Sequence, residues 1–332
     1  MLRRLIIALT LGCAAAVCAR AQGAGARPAA DPDKYAVILS GASGDEEYAK
    51  RFRHWTEDLR RSLVERYEFD GARVTVLSES PEGERALKCT AAEVRRTFQT
   101  LRETAGPEST VFVFLIGHGT YDGRQAKFSL VGPDLTAEEY AEMLGGLKAK
   151  RVVVFQMASA SGEFIKPLAG PGRVVVTATR NGQEQNATRF PEQFIAALSA
   201  RDADTDQNGR VSVLEAFDYA SRLTAEQYKR AGRLATEHAL IEDSGDGVGH
   251  ASAEGGDGAI ARTTYLDSLT AAQAAANAET ARLIRERERL EGEVEQLKAR
   301  KASMPEADYE AELERVFVSL AKVNRSIRRA AQ

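Results

Sequence analysis

The chain has 332 residues, of which 43% are hydrophobic and 28% are charged, a mixture typical of one large or two ordinary globular domains. Its formal net charge of -3 argues against a nucleic-acid-binding protein, whose interaction surface would be basic. Two of its 3 cysteines, Cys13 and Cys18, lie near the amino terminus, so processing there decides how many cysteines the mature protein keeps.

The amino terminus has the pattern of a secretory signal peptide. Two arginines precede an apolar stretch that ends in Ala19-Arg20-Ala21, which fits an A-x-A cleavage site. We predict a signal peptide over 1–21, a disordered leader over 22–34, and a secreted or periplasmic protein without a transmembrane segment. A membrane anchor is less favoured because the apolar run is shorter than about 20 residues; lipidation at Cys13 stays open. After cleavage only Cys89 remains, so no internal disulfide can form.

From residue 35 onward, apolar runs alternate with amphipathic segments. Predicted strands cover 35–40, 74–77, 111–116, 151–156 and 174–178, and predicted helices cover 45–67, 90–102, 136–147 and 190–198. This alternation predicts an α/β fold, in which a mostly parallel sheet is covered by helices on both faces. We assign this domain to 35–235.

A histidine follows the most apolar of these strands. The run from Val111 to Ile116 suits a central strand buried on both faces, and Gly117-His118-Gly119 comes directly after it. Ligands of open α/β sheets bind at the carboxyl edge, and histidine is the usual acid or base at neutral pH. His118 is therefore a candidate catalytic residue; the alternative is a histidine that merely occupies a tight turn.

A second polar loop follows the fourth predicted strand. It contains Ala158-Ser159-Ala160-Ser161-Gly162. If this strand neighbours the strand before His118, the Ser159 hydroxyl and the His118 imidazole share one edge of the sheet. That juxtaposition is the beginning of a nucleophile–base pair. The alternative is a turn built from small residues.

These two motifs, in this order on two strands, resemble the caspase-like cysteine peptidases, and most closely the legumain family, peptidase family C13. The resemblance covers roughly 35–198. It implies a caspase/legumain-like fold, His118 as the catalytic histidine, and Ser159 at the position of the nucleophilic cysteine. Phe52-Arg53-His54 resembles the family's arginine segment, which implies that Arg53 lines the substrate pocket. The N–H of Gly119 is a candidate oxyanion donor.

Serine in place of cysteine puts the activity in doubt. A cysteine readily forms a nucleophilic thiolate, whereas a serine hydroxyl needs a base that a third group orients. No acidic residue is obviously placed to orient His118; Asp122 is near in sequence only. The substitution favours a catalytically inactive homologue that binds peptides or proteins. The alternative is an active peptidase that uses Ser159 with His118 as its general base.

Residues 204–215 have the pattern of an EF-hand calcium loop. The ligands would be the side chains of Asp204, Asp206, Asn208 and Glu215, the backbone carbonyl of Arg210, and Ser212 through a water molecule. Gly209 allows the sharp turn, and Val211 occupies the apolar position that pairs with a partner strand. We predict calcium as the cofactor, at a structural site; the alternative is a polar turn that precedes a helix. Residues 242–247 repeat part of this calcium-loop pattern. They form a weaker second site or, as we favour, a loop that binds no metal.

The remainder of the chain changes in composition. Residues 236–264 are rich in Gly and Asp and are predicted as a mobile linker. Over 265–332 we predict an α-helical hairpin with a short coiled-coil seam, because Leu283, Leu290 and Leu297 are seven residues apart and Pro305 separates two amphipathic helices. Its apolar stripe is expected to dock on the main domain or to mediate self-association, with a partner protein as a third option.

Overall fold

The computed structural model describes residues 31–81, 87–206, 210–253, 256–267 and 278–330. Within this part of the chain the strands are β1 (Lys34–Ser40), β2 (Val74–Ser78), β3 (Leu87–Lys88), β4 (Thr110–Ile116), β5 (Gly119–Tyr121), β6 (Ala126–Phe128), β7 (Leu135–Thr136), β8 (Arg151–Gln156), β9 (Arg173–Thr177) and β10 (Leu240–Glu242). The helices are α1 (Glu46–Arg61), α2 (Ala91–Thr104), α3 (Ala137–Gly145), α4 (Ile165–Leu168), α5 (Phe190–Ala197), α6 (Val213–Arg230), α7 (Ala259–Arg262), α8 (Ala278–Arg300) and α9 (Glu306–Ala330). The predicted signal peptide and most of the predicted leader lie outside the described residues.

Seven strands form one mostly parallel sheet in the order β10-β9-β8-β4-β1-β2-β3. Every pair is parallel except β10 with β9. The strands β5, β6 and β7 form a separate antiparallel sheet. The predicted α/β class with a mostly parallel sheet is therefore confirmed.

Helices cover both faces of the sheet, as predicted. Successive residues of β4 enter opposite cores because side chains alternate along a strand. Phe112 and Phe114 pack with Phe52 of α1 and residues of α5 and α6, whereas Val111 and Val113 pack with residues of α2, α3 and α4. The helices α1, α2, α3 and α6 begin at side-chain caps, and α3 has a complete capping box of Thr136 and Glu139.

The described part of the segment predicted as a linker, residues 236–253 and 256–264, belongs to the domain. Residues of β10 pair with β9, with Ile241 opposite Val176, so the domain does not end at 235. The acidic residues that suggested a solvated linker instead cap backbone N–H groups. The buried Asp243 carboxylate accepts from the N–H groups of Gly258 and Ala261, both at 2.7 Å. Carboxylates used in this way order a Gly-rich segment that has few apolar side chains of its own.

Three further residues with titratable side chains are partly or fully buried. Lys34, assigned to the disordered leader, already belongs to β1 and is buried, and burial lowers the pKa of its ammonium group to about 8. His250 is half-buried, with Nδ1 2.6 Å from the Asp257 carboxylate. Cys89 is fully buried, which raises the pKa of its thiol to about 12 and keeps it protonated.

The helices α8 and α9 form an antiparallel hairpin. Leu290, Val294 and Leu297 of α8 pack against Tyr309 and Val316 of α9. Pro305 immediately precedes α9, where its missing N–H costs no helical hydrogen bond. None of the helices in the described residues combines the length and the hydropathy that crossing a bilayer requires.

Candidate functional site

The loops that carry His118 and Ser159 meet at the carboxyl edge of the central sheet. The strands that precede them, β4 and β8, are parallel neighbours, with Leu115 opposite Gln156. This is the arrangement on which the predicted pairing of the two residues depends. The loops after both strands are hydrogen-bonded to each other through Gly119 and the Ser159 side chain.

The imidazole of His118 is held between α1 and the loop after β1. Its ring makes edge contacts with Tyr48 and Phe52, at centroid distances of 4.7 Å and 5.2 Å. Nε2 lies 3.1 Å from the backbone carbonyl oxygen of Ser43. Because a carbonyl only accepts, Nε2 carries the proton and Nδ1 is the acceptor of the ring.

Burial lowers the pKa of His118, while the Ser43 carbonyl and the charge of Asp45 act in the opposite direction. The net lowering favours the neutral ring at neutral pH. A neutral histidine with a fixed tautomer has the protonation state that a general base requires.

Sequence reasoning missed the group that orients His118. Ser43 is buried, and its hydroxyl donates to Oε2 of Glu79 at 2.5 Å. The backbone N–H of Ser43 donates to the same oxygen at 3.3 Å. Glu79 follows β2 directly, so a carboxylate from one strand end fixes the loop whose carbonyl fixes the histidine. The only sequence signal was the small-residue loop Gly41-Ala42-Ser43-Gly44 after β1.

We expect Glu79→Ala to disturb the His118 tautomer, because Ser43 loses both hydrogen bonds that hold its carbonyl toward Nε2. Long-range ¹H–¹⁵N NMR correlations should show a single Nε2–H tautomer in the wild type and a mixture in Glu79→Ala. Glu79→Gln is the matched control, since its amide oxygen still accepts a hydrogen bond. An unchanged spectrum in Glu79→Ala contradicts this role of Glu79.

The Ser159 hydroxyl is directed to the backbone rather than to the histidine. Its Oγ donates to the carbonyl oxygen of Gly119 at 3.1 Å and accepts from the N–H of Gly119 at 3.1 Å. The residue is 3% exposed. The same bond occupies the Gly119 N–H, which the sequence suggested as an oxyanion donor. In this arrangement His118 does not activate the hydroxyl, and the Gly119 N–H does not face an incoming ligand.

The turn after Ser159 is tightly held. Ala160 has a left-handed backbone with φ of 55°, a conformation that costs a residue with a Cβ about 1 kcal/mol or more. Its N–H donates to the carbonyl of Glu184 at 2.8 Å. The buried Ser161 hydroxyl accepts from the N–H groups of Ala178 and Thr179. The loops after β8 and β9 therefore form one rigid unit beside His118.

Gly119 is required by a close approach of two loops. A Cβ at this position would lie 2.4 Å from the carbonyl oxygen of Ser159, which is backbone and cannot rotate away. We expect Gly119→Ala to lower the free energy of unfolding by about 3 kcal/mol in urea titrations, because the loops must separate. Gly106→Ala is the control, since its Cβ would meet nothing within 4 Å, and it should change stability by less than about 0.5 kcal/mol. Equal effects of the two variants would contradict this explanation.

Two other residues named from the sequence take different places. Arg53 is exposed on α1, one residue after Phe52, whose ring contacts His118. Asp122 caps the turn between β5 and β6, where its Oδ1 accepts from the N–H groups of Arg124 and Gln125 at 2.9 Å and 2.8 Å. These hydrogen bonds lower the pKa of the Asp122 carboxyl, and they assign this carboxylate to the turn rather than to His118.

The acidic residues of the predicted calcium loop converge. One carboxylate oxygen each from Asp204, Asp206 and Glu215 lies within 4.8 Å of the other two. Glu215 is buried in the first turn of α6, where it forms a capping box with Ser212. Its Oε1 also accepts from the N–H groups of Thr205 and Asp206. Asn208 and Gly209 lie outside the described residues. An all-oxygen donor set of this kind fits a hard cation such as calcium.

The loop is paired with a later segment of the same chain. Ser212, rather than the predicted Val211, forms an antiparallel bridge with Tyr265, and the N–H of Val213 donates to the carbonyl of Thr264 at 2.8 Å. The Arg210 guanidinium is used in an ion pair with Asp267 at 2.8 Å, which leaves its backbone carbonyl as the predicted ligand. The loop is therefore bound to a segment that contains Thr264, Tyr265 and Asp267. The predicted start of the hairpin at residue 265 is wrong in this respect, because Tyr265 and Asp267 contact the loop.

The acidic cluster and the histidine lie at opposite edges of the sheet. The ammonium group of Lys34 donates to the carbonyl of Leu266 at 2.6 Å, and the guanidinium of Arg151 lies 3.1 Å from the Thr264 hydroxyl. Lys34 and Arg151 are the first residues of β1 and β8. The segment that pairs with the predicted calcium loop therefore lies at the edge of the sheet where the parallel strands begin. His118 and Ser159 follow the carboxyl ends of the same sheet. A cation in the loop would therefore affect His118 and Ser159 only through the fold.

Comparison with known proteins adds little to these observations. No family model matches the chain, and no curated protein matches it. Among solved structures, protein GSU0716 from Geobacter sulfurreducens is similar with a TM-score of 0.40 and 14% sequence identity, over 58% of this chain and 89% of that one. A likeness of this size assigns neither a family nor a function.

Proposed function

We propose that this chain is a secreted or periplasmic calcium-binding protein whose caspase/legumain-like domain has lost peptidase activity and binds peptides or proteins. The observation that carries the proposal is the pair of hydrogen bonds between Ser159 Oγ and the backbone of Gly119. They engage the hydroxyl at the nucleophile position with a partner that cannot accept its proton during catalysis.

The chemistry of the side chain points the same way. A serine attacks a peptide carbonyl only while a base removes its proton, so it needs a hydrogen bond to that base. A thiol at position 159 would need less help, because it ionises readily and is intrinsically nucleophilic. The cleft therefore retains the histidine of a cysteine peptidase and lacks the residue that the mechanism depends on.

The surroundings of the cleft support a binding role. His118 and the loop after β8 lie at the carboxyl edge of a parallel sheet, where α/β proteins bind ligands. Ser43, Glu79 and the aromatic rings of α1 hold the histidine in one orientation. Preorganised polar groups of this kind can bind a peptide backbone without cleaving it, and the exposed Arg53 on α1 suits an acidic or polar side chain.

A specific observation favours the alternative of an active serine peptidase. Burial lowers the pKa of His118, which favours the neutral ring, and the Ser43 carbonyl leaves Nδ1 as its acceptor; this is the state of a competent general base. Rotation of the Ser159 side chain away from Gly119 would break two hydrogen bonds, each worth about 1 kcal/mol net. The same rotation would free the Gly119 N–H to stabilise an oxyanion. Substrate binding would have to drive this rotation.

Calcium forms the second half of the proposal. Asp204, Asp206 and Glu215 would supply carboxylate oxygens, together with the Arg210 carbonyl and Ser212; by sequence, Asn208 completes the set. Bound calcium would offset the repulsion among carboxylates that converge on one point. We assign it a structural role, since the mature chain has no disulfide to stabilise it.

Cleavage of a mixed peptide library distinguishes the two functions. The mature protein is incubated with the library and calcium, alongside Ser159→Ala and Ser159→Cys. A silent wild type with an active Ser159→Cys variant supports the inactive homologue. Cleavage by the wild type that disappears in Ser159→Ala would replace it with a serine peptidase.

A further inference from the structure

The outward face of α9 carries apolar side chains that the hairpin leaves uncovered. Phe317 is 49% exposed and Val318 is 45% exposed. They line a shallow groove of about 550 Å³ together with Leu313, Ala321 and two glutamates, Glu310 and Glu314. The inward face of the same helix is used differently, since Tyr309 and Val316 pack against α8. We call the groove-lining surface the outer face of α9.

Charge is separated along this helix. The stretch 306–314 contains five acidic residues and no basic one, whereas 322–329 contains four basic residues and no acidic one. Phe317 and Val318 stand between these two stretches, at the middle of α9. Residues 310, 314, 317, 321 and 325 are spaced by three or four, so they lie along one face of α9. Glu310 and Glu314 are toward the amino end of that face, and Arg325 is toward its carboxyl end.

The charges of the outer face differ from those on the side toward α8 in their pairing. Among the described residues, Glu310, Glu314 and Arg325 form no ion pair. Charges on the side toward α8 behave differently, because Glu312 lies 4.0 Å from Arg300 and Arg315 lies 3.9 Å from Glu293. The outer face therefore combines exposed apolar side chains with unpaired charges of opposite sign at its two ends.

We propose that the outer face of α9 binds the outer face of α9 in a second copy of this chain, with the two helices antiparallel. An interface between identical surfaces related by a two-fold axis must be complementary to itself. With the axis at Phe317 and Val318, Glu310 of one copy lies opposite Arg325 of the other, since each is seven residues from that pair. The apolar side chains of both copies then pack in the centre, and the acidic half of each helix faces the basic half of the other.

The charge pattern selects this occupant over others. A parallel arrangement would place Glu310 and Glu314 of one copy against the same two glutamates of the other, which is repulsive. A purely acidic or purely basic partner would match only one half of the face. Only an antiparallel second copy meets both halves and the apolar centre at once. The interface lies on the hairpin, so it does not depend on the function proposed for the cleft.

Sedimentation equilibrium of the mature full-length protein tests the proposal. We expect a concentration-dependent monomer–dimer equilibrium at 50 mM NaCl that weakens at 300 mM, because exposed charge pairs are screened. Glu310→Arg and Arg325→Glu should each raise the dissociation constant about tenfold or more, since each reversal makes two pairs per dimer repulsive. The double variant restores opposite charges, and it should recover most of the affinity.

Asp308→Arg is the control for net charge, because a residue two positions from Glu310 lies on a different side of the helix. It should leave the dissociation constant within about threefold of the wild type. Circular dichroism of each variant verifies that the hairpin remains helical. A wild type that is monomeric at every concentration overturns the proposal. So does a dimer that the single reversals leave intact, or one that the double variant fails to restore.

Discussion

Wild-type protein should leave a mixed peptide library intact in the presence of calcium, and Ser159→Cys should cleave it. The expected gain follows from two properties of sulfur. A thiol is a weak hydrogen-bond donor and is less firmly bound to the Gly119 carbonyl than a hydroxyl. It also ionises within reach of neutral pH, and the thiolate attacks without a base acting at the same moment.

The size of the effect depends on how well the cleft is preserved. General base catalysis typically raises the rate of a reaction by a factor of about 100 to 10,000, and wild-type Ser159 lacks this contribution. The rate of peptide cleavage by Ser159→Cys should therefore exceed that of the wild type by about 100-fold or more. His118→Ala in the Ser159→Cys background should remove that gain, since it deletes the imidazole oriented by Ser43. Ser159→Ala is the control for contaminating peptidases and should remain silent. Alkylation by iodoacetamide should inactivate the cysteine variant and leave its calcium-dependent stability unchanged.

Activity in the wild type would contradict the inactive homologue. The decisive combination is cleavage by the wild type and silence of Ser159→Ala, which would mean that substrate rotates the hydroxyl from Gly119 toward His118. Silence of Ser159→Cys would mean that the cleft itself no longer supports cleavage. Binding of peptides from the same library, measured by retention on immobilised protein, would then be the remaining support for a binding role.

Much of the fold follows from sequence because its signals are local. Unbroken apolar runs such as Val111–Ile116 identify strands that both faces of a sheet bury, and alternation with amphipathic helices implies parallel pairing. Neighbouring parallel strands end at the same edge of a sheet. Once β4 and β8 are neighbours, the loops that follow them must lie close together. The convergence of Asp204, Asp206 and Glu215 similarly depends on a short contiguous segment.

The features that sequence did not indicate depend on contacts between distant residues. Any residue has a carbonyl, so nothing distinguished Ser43 as the partner of His118, and Glu79 reaches Ser43 from another strand. Composition was misleading over 236–264, because acidic and glycine residues are typical of linkers when solvated. Here Asp243 and Asp257 are buried and accept from backbone N–H groups, which converts the same composition into an ordered edge of the domain.

Calcium should raise the thermal midpoint of unfolding by several degrees. A ligand that binds only the folded state stabilises it by about 2.7 kcal/mol at 100 times its dissociation constant. For a domain of this size, each kcal/mol shifts the midpoint by roughly 2–4 °C. The expected shift on adding calcium at 100 times its dissociation constant to chelator-treated protein is therefore about 5–10 °C by differential scanning calorimetry. Magnesium at the same concentration should give a smaller shift, because it requires a more regular octahedral site.

The variant Glu215→Gln distinguishes the contribution of bound calcium to stability from that of the helix cap. The single acceptor oxygen of glutamine can keep the capping box with Ser212, but its amide nitrogen cannot accept from the N–H groups of Thr205 and Asp206. The calcium-free variant should therefore unfold somewhat below the wild-type temperature, and its calcium response is measured from that lower baseline. It lacks the negative charge and the bidentate carboxylate, so most of the calcium-dependent shift should disappear. Asp202→Asn is the matched control, because this exposed aspartate lies two residues before the loop and outside the acidic cluster. Its calcium response should equal that of the wild type.

The position of the loop determines what an absent shift would mean. The loop pairs with Thr264 and Tyr265, and this segment is bound to β1 through Lys34, so its order is coupled to the amino edge of the sheet. Calcium that bound here without raising the midpoint would have to bind the unfolded chain equally well, which a scattered set of carboxylates cannot do. An unchanged midpoint in wild-type protein would therefore refute the calcium site itself. It would leave Glu215 as a helix cap, with its two neighbours Asp204 and Asp206 as residues of an ordinary polar turn.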